Sequence, residues 1–376
     1  MPLTVKISRS ISDIPRADWD SVYPPGPENY GFLKTCDETL TRQFKFYYIS
    51  IYDNGRIECV APCFAVDYRL DTTLEEPFQK AVSFIRRLGL TRFLTMRAVI
   101  CGSPASEGHI GIRSADLAGT IVPVIVREMD AIAQKERAAV IAFKDFVEGY
   151  KEVLKPLAGM KFHTTNLLPY VELDLNFKSF DEYLNSLSKK TRADLRRKFK
   201  HSKENADIKM EVRAELGDLL DEAYDLYRDN LERAYMRFEE MPKEFFTAIS
   251  KNMPQETKYF IWRVNGKLVA FSLCLHAGST LEGHYLGFDY SVAHLYHLYF
   301  IAFRDRITWC MKNGIRKYHT GALNYDPKKR LDFKFIPEYL YVKHRRKIPN
   351  LFFSFLISAL QPEKHDPVLK SFKSSS

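Results

Sequence analysis

Two Asn-Gly dipeptides do most to limit how this chain can fold. Asn54-Gly55 separates FKFYYISIYD from RIECVAPCFAV, and Asn265-Gly266 separates KYFIWRV from KLVAFSLCLH. Asn and Gly tolerate the positive φ angles of a two-residue turn whose twist matches a pair of antiparallel strands. Each half of the 376-residue chain is therefore expected to hold a β-hairpin rich in aromatic and β-branched residues. A chain of this length suits two domains of middling size rather than one core. Hydrophobic residues make up 45% of it, enough for both interiors and too many for extensive disorder; the short polar tail SFKSSS is the exception.

The first half, to about residue 165, opens with the strand LTVKIS and a helix start at Asp13 and Pro15. After the hairpin come a helix in EEPFQKAVSFIRRLGL, the Gly/Ser-rich loop ICGSPASEGHIG, a long amphipathic helix in ADLAGTIVPVIVREMDAIAQKE and the strand AAVIAFKDF. The second half, from about 166, begins with LPYVELDLNF. Ser179 and Glu182 then form a capping-box pattern before one continuous helix with the stripe Phe180, Leu184, Leu187, Thr191, Leu195 and Phe199. There follow a strand (IKMEVRA), two helices, and a three-strand meander running through KYFIWRV, KLVAFSLCLH and TLEGHYLGFDY. A long helix ending at Gly314, a strand (RKYHTGAL), a loop (NYDPKKRLDF) and a strand (EYLYVKH) close the unit.

Charge is concentrated in one place. SKKTRADLRRKFKHSK, residues 188–203, holds eight Lys or Arg and one Asp, so it carries +7 of the formal net charge of +9. Lys189, Arg192, Arg196, Lys200 and Lys203 fall largely outside the apolar stripe, which predicts a basic face on an anchored helix. Such a face meets phosphates, acidic lipid or a polyanionic substrate, against a bland reading as a solvated surface. A protein that coats DNA generally is disfavoured, because the rest of the chain is near neutral.

The six cysteines show no CxxC pair or zinc spacing. Cys59 and Cys63 lie in an apolar run and read as buried thiols, and no metal is expected. MPLTVKISRS lacks the apolar core of a signal peptide, so a cytoplasmic location is expected. The longest apolar run, IPNLFFSFLISAL at 348–360, is too short to span a bilayer. With KHRRK (343–347) before it, it is a candidate for peripheral contact with anionic lipid at the inner face of a membrane.

The order strand, helices, three-strand meander, long helix, strand resembles the GNAT acyltransferase fold. DWDSVY, the basic helix KKTRADLRRKFK, the strand EGHYLGFDY and the pair HTGAL…KKRLDFKFIP resemble features of the Fem-type aminoacyl-tRNA-dependent transferases and their GNAT-like relatives. The resemblance implies an α/β (α+β) fold of two tandem GNAT-like domains with mixed central sheets flanked by helices. Residues 1–165 would be a degenerate copy, and 166–376 would carry the site. It implies an N-acyl or aminoacyl transferase acting on a small-molecule or lipid-linked amine of the cell envelope.

Acyl transfer to an amine requires a proton acceptor, a positioned donor and stabilisation of an oxyanion. In GNAT folds the strand before the long helix lines the cleft. Strict alternation there puts Glu282 and His284 on one face and Tyr285 and Asp289 on the other. His284 is a candidate base, Glu282 a base through water and Tyr285 a proton donor to the leaving group, with Asp289 a further candidate. Structural roles compete for all four. Lys189, Arg192, Arg196 and Arg197 on the basic helix, and Tyr325, Lys328, Lys329 and Arg330 beyond HTGAL, are candidates for anion binding. No tightly bound cofactor is expected; the co-substrate is aminoacyl-tRNA or acyl-CoA. The loop DYSVAHLYHLYF has none of the glycines that cradle a coenzyme A pyrophosphate, which favours tRNA slightly. A non-catalytic protein that binds anions or nucleic acid is the alternative from another class.

Overall fold

The computed structural model describes residues 3–69, 95–234, 238–322, 324–351, 353 and 368–370. The expected helix at 75–90, most of the apolar run 348–360 and the polar tail lie outside them. The chain forms two compact units. One holds Met1–Leu168, Met236–Glu239 and Pro337–Ser376, the other Pro169–Tyr235 and Glu240–Ile336.

In the first unit β1 (Thr4–Ser8), β2 (Lys45–Asp53), β3 (Arg56–Arg69), β4 (Thr95–Cys101), β6 (Val140–Val147), β15 (Glu338–His344) and β7 (His163–Asn166) form a sheet in that order. β5 (Gly111–Ile112) pairs with β3. Among these described strands only β4 and β6 run parallel. The predicted hairpin joins β2 to β3, with Asn54 at φ 49° and Gly55 at φ 81°. The helix Ala118–Lys135 turns Ile121, Val122, Ile125 and Met129 inward at helical spacing, in one core with Ile49, Ile51, Ala61, Val99, Ile141 and Phe143. All six cysteines are buried free thiols, Cys59 and Cys63 among them as expected.

The second unit has the sheet order β14 (Lys334–Ile336), β8 (Tyr170–Asp174), β13 (Lys317–Thr320), β12 (Thr280–Phe288), β11 (Lys267–Ala277), β10 (Thr257–Val264) and β9 (Ile208–Arg213). β9 to β12 form the antiparallel meander, and β12 and β13 are parallel. One face carries the helices Leu220–Arg233 and Lys243–Asn252, with Phe246 packed 6.0 Å from Phe271. The other carries Leu298–Lys312, whose Trp309 ring stands edge-on to Phe260 at 5.2 Å.

Three expectations are corrected. The continuous helix after Ser179 is two helices, Phe180–Ser186 and Lys189–Asn205, because Leu187 is extended and Ser188 caps the second by accepting from the Thr191 amide. The loop after HTGAL contains the helix Tyr325–Arg330. The strand EYLYVKH, expected to close the second unit, pairs as β15 between β6 and β7 in the first, so the chain returns there after Ile336. Its alternation fixes which face is apolar but not which sheet it joins.

Candidate active site

The site is built where β12 and β13 lie side by side. Glu282 pairs with His319 and Gly283 with Thr320, and the parallel ladder ends there. On its other edge β12 pairs with β11, Tyr285 opposite Leu273 and Gly283 opposite Cys274. His284 is thus an inserted residue, a β-bulge. The bulge resets the alternation that sequence counting assumed. Glu282 and Tyr285, three residues apart, stand opposite Leu275 and Leu273 and so share a face. On that face the Tyr285 ring packs 5.7 Å from Tyr227 and 5.8 Å from Phe245.

Gly287 marks how closely the helix Leu220–Arg233 approaches this strand. A Cβ there would come within 2.5 Å of the Leu226 carbonyl carbon. That close approach is the physical reason for a glycine at position 287 of the strand EGHYLGFDY.

His284 Nε2 is 3.4 Å from Glu282 Oε1, with the two side chains 4% and 14% exposed. Burial pushes the His284 imidazole down to about 4, so it is neutral at pH 7. β13 and β8 add groups that sequence reasoning did not name. His319 Nε2 donates to Glu172 Oε2 at 2.8 Å, and Lys317 Nζ reaches the same oxygen at 3.0 Å. The Tyr170 ring lies 5.3 Å from His319. Burial lowers the His319 pKa, against the raising pull of the Glu172 carboxylate. With Nε2–H held by an acceptor-only carboxylate, the neutral ring presents a lone pair on Nδ1.

Lys328, a candidate for anion binding, is buried rather than displayed on the surface. Helical spacing turns Tyr325 and Lys328 inward together, at 2% and 7% exposure. Its ammonium donates to the Gly321 carbonyl at 2.5 Å, one residue past the end of β13. Burial, and after it the nearby Arg306 guanidinium, lowers Lys328 to about 7. Tyr325 donates to the Pro169 carbonyl at 2.8 Å; Lys329 is exposed, and Arg330 pairs with Asp326 at 2.7 Å. Asp289 lies past the end of β12 as a cap, accepting from the Ser291 amide at 3.0 Å and from Lys267 Nζ at 2.8 Å. Burial opposes its ionisation, but those hydrogen bonds outweigh it and hold the carboxyl below its ordinary range.

Three of the four cations expected to bind anions on the basic helix are engaged by neighbours. Arg192 donates to the Asn185 and Leu187 carbonyls at 2.9 and 3.1 Å, satisfying the end of the preceding helix. Arg196 reaches Asn185 Oδ1 at 3.2 Å, and Arg197 pairs with Asp194 at 2.8 Å. The helix break at Leu187, which no stripe revealed, places Asn185 and the Leu187 carbonyl beside Arg192 and Arg196. Lys189, Lys190, Lys200 and Lys203 are exposed. Lys200 and Lys203, with Phe199 and Arg304, line a groove of about 410 Å³.

Comparison with known proteins gives this geometry a context. Residues 10–346 match the profile of the FemAB-like family, described as peptidoglycan biosynthesis/recognition. Among solved structures, FemX is similar at 12% identity and TM-score 0.55, over 91% of this chain and 97% of that one. The C-terminal domain of a putative lysylphosphatidylglycerol synthetase from Agrobacterium fabrum is similar at 11% identity and TM-score 0.53, over 90% and 92%. A tandem GNAT protein of the clavulanic acid pathway gives 11% identity and TM-score 0.50, over 91% and 98%. The fold is therefore the tandem GNAT one. Among curated proteins, a putative 8-amino-7-oxononanoate synthase 2 of Mycobacterium tuberculosis is 23% identical over 327 residues. That match takes in 84% of this chain, which spans only 42% of the relative's length.

Proposed function

Because the chain belongs to the FemAB-like family, we propose that it transfers an activated aminoacyl group to an amine. In this reading aminoacyl-tRNA is the donor, and a lipid-linked or peptidoglycan-type amine is the acceptor. The observation that carries it is the Glu172–His319 hydrogen bond on the strand beside Glu282, where the β12–β13 ladder ends.

His319 Nδ1 takes the proton from the attacking ammonium, while Glu172 holds the ring and is itself held by Lys317. The free amine adds to the ester carbonyl of the donor. The C–N bond forms as the carbonyl electrons move to oxygen; the carbonyl then re-forms, the C–O ester bond breaks, the ribose oxygen leaves with the second proton given up by the nitrogen, and His319 releases the first proton to solvent. Lys328, next to the end of β13, is the cation to stabilise the oxyanion. His284 and Glu282 line the same stretch of strand, and Tyr285 serves packing. The exposed lysines of the basic helix provide a surface for phosphates, which tRNA presents in quantity.

The test is transfer of radiolabelled amino acid from aminoacyl-tRNA to an amine acceptor, with acetyl-CoA as the competing donor. Transfer from tRNA that disappears in His319→Ala is the expected result. Transfer from acetyl-CoA alone moves the reading to an acyl-CoA enzyme. Tight tRNA binding that survives His319→Ala, with no transfer from either donor, replaces it with a non-catalytic binder.

A further inference from the structure

One basic and apolar surface of the first unit has no part in that chemistry. After β15 the chain turns at Arg345 and Arg346 into a helical turn that begins at Lys347. On it Ile348 and Leu351, three residues apart and therefore on one side, are 71% and 73% exposed. Among the described residues these are the two most exposed large hydrophobics, ahead of Leu295 at 50% and Ile7 at 40%. Single exposed aliphatics are ordinary. Two on one helical turn, directly behind a basic run, are a pattern.

The presentation is fixed from below. Asn350 is 7% exposed; its side chain accepts from the His344 amide at 2.8 Å and donates to the Lys161 carbonyl at 3.1 Å. Its own carbonyl accepts from His163 Nε2 at 2.8 Å. Arg345 is bound to Asp130 at 2.7 Å, which cancels the charge of that acid beside the run. Arg137, Arg346 and Lys347 remain exposed. Arg137 and Arg346 line a groove of about 400 Å³ with His344 and Pro349.

We propose that this surface docks on an anionic lipid bilayer. Ile348 and Leu351 enter the boundary between headgroups and acyl chains, and Arg346, Lys347 and Arg137 lie against lipid phosphates. Cations alone would suit nucleic acid equally. A bilayer is the partner that takes exposed aliphatics and cations from one small patch. The proposal goes beyond the transfer reaction and is measured without turnover.

The experiment is flotation of the full chain with vesicles of phosphatidylglycerol and phosphatidylcholine, against pure phosphatidylcholine, at two salt concentrations. The expected result is recovery with the anionic vesicles only, weakened by salt. Arg346→Gln with Lys347→Gln should lower partitioning about 30-fold, since each cation near the surface contributes roughly fivefold. Ile348→Ser with Leu351→Ser should lower it about 100-fold, two aliphatic side chains at about 1.5 kcal/mol each. All four side chains are exposed, so thermal melts should match the parent. Failure of the parent to float, or flotation indifferent to either pair, overturns the proposal. So does loss of tRNA retention in the Arg346/Lys347 variant while flotation is unchanged.

Discussion

His319 Nε2 lies 2.8 Å from Glu172 Oε2, across the antiparallel pairing of β13 with β8 that sets the two residues opposite one another. If this pair handles the proton, His319→Gln should lower kcat/KM for acyl transfer roughly 10²- to 10⁴-fold. Glu172→Gln distinguishes chemistry from packing. The Glu172 carboxylate favours the imidazolium, so its removal should lower the His319 pKa further. The acidic limb of the pH–rate profile should then move to lower pH, while the maximum falls because the ring loses its orienting partner. An acidic limb that stays in place in Glu172→Gln removes His319 from the proton path.

A second prediction separates two glycines of one motif. At Gly287 a methyl group meets the Leu226 backbone at 2.5 Å, whereas at Gly283 the nearest atom is the Tyr318 hydroxyl at 3.1 Å. Backbone cannot yield as a side chain can. Gly287→Ala should cost about 1–3 kcal/mol, seen as a lower urea midpoint with an unchanged m-value. Gly283→Ala should cost less than half of that. Equal costs would mean that the helix Leu220–Arg233 is not held at this distance.

The fold was legible in the sequence where the signals are local. Asn54-Gly55 and Asn265-Gly266 each mark a hairpin, Gly314 ends its helix at φ 72°, and the Ser179 side chain caps as the pattern indicated. What the sequence hid is non-local. The bulge at His284 depends on the register of β11 against β12, and one inserted residue put Glu282 and Tyr285 on the same face. Glu172 and His319 are 147 residues apart, and only strand pairing makes them neighbours. The return of Glu338–His344 to the first sheet is equally a long-range choice. Sequence reading groups Lys328 with Lys329 and Arg330 as an anion-binding candidate because no periodicity within KKR tells an inward lysine from its neighbours.

The two most strongly depressed imidazoles should shape the acid side of stability. Burial holds His109, whose Nδ1 is 3.2 Å from the Tyr150 hydroxyl, and His284 each at about 4. Both folded values lie below the unfolded value of roughly 6.5. Their contribution to stability is therefore complete above that pH and is lost as pH falls toward 4. By pH 5 the loss should reach roughly 2 kcal/mol for each ring, at about 1.4 kcal/mol per pH unit. Urea denaturation at pH 7.5, 6 and 5 checks this, and His284→Gln should flatten the dependence by one proton's share. A parent chain equally stable at pH 5 and 7.5 would contradict it.

The basic helix offers a contrast between two sets of cations on one rod. Lys189, Lys190, Lys200 and Lys203 are exposed, while Arg192 closes the preceding helix through the Asn185 and Leu187 carbonyls. Replacing the four lysines by Gln should leave the melting temperature nearly unchanged. It should weaken tRNA binding and flatten the plot of log K against log salt by close to one unit for each phosphate that is no longer neutralised. Arg192→Ala should act in the opposite sense. It strips hydrogen bonds from a helix end and should cost about 1 kcal/mol of stability, with little change in salt slope. Filter binding across a salt series, run beside thermal melts, separates the two. Should Arg192→Ala flatten the slope more than the four-lysine variant does, the phosphates lie against the front of the helix near the break at Leu187 and not along its exposed lysines.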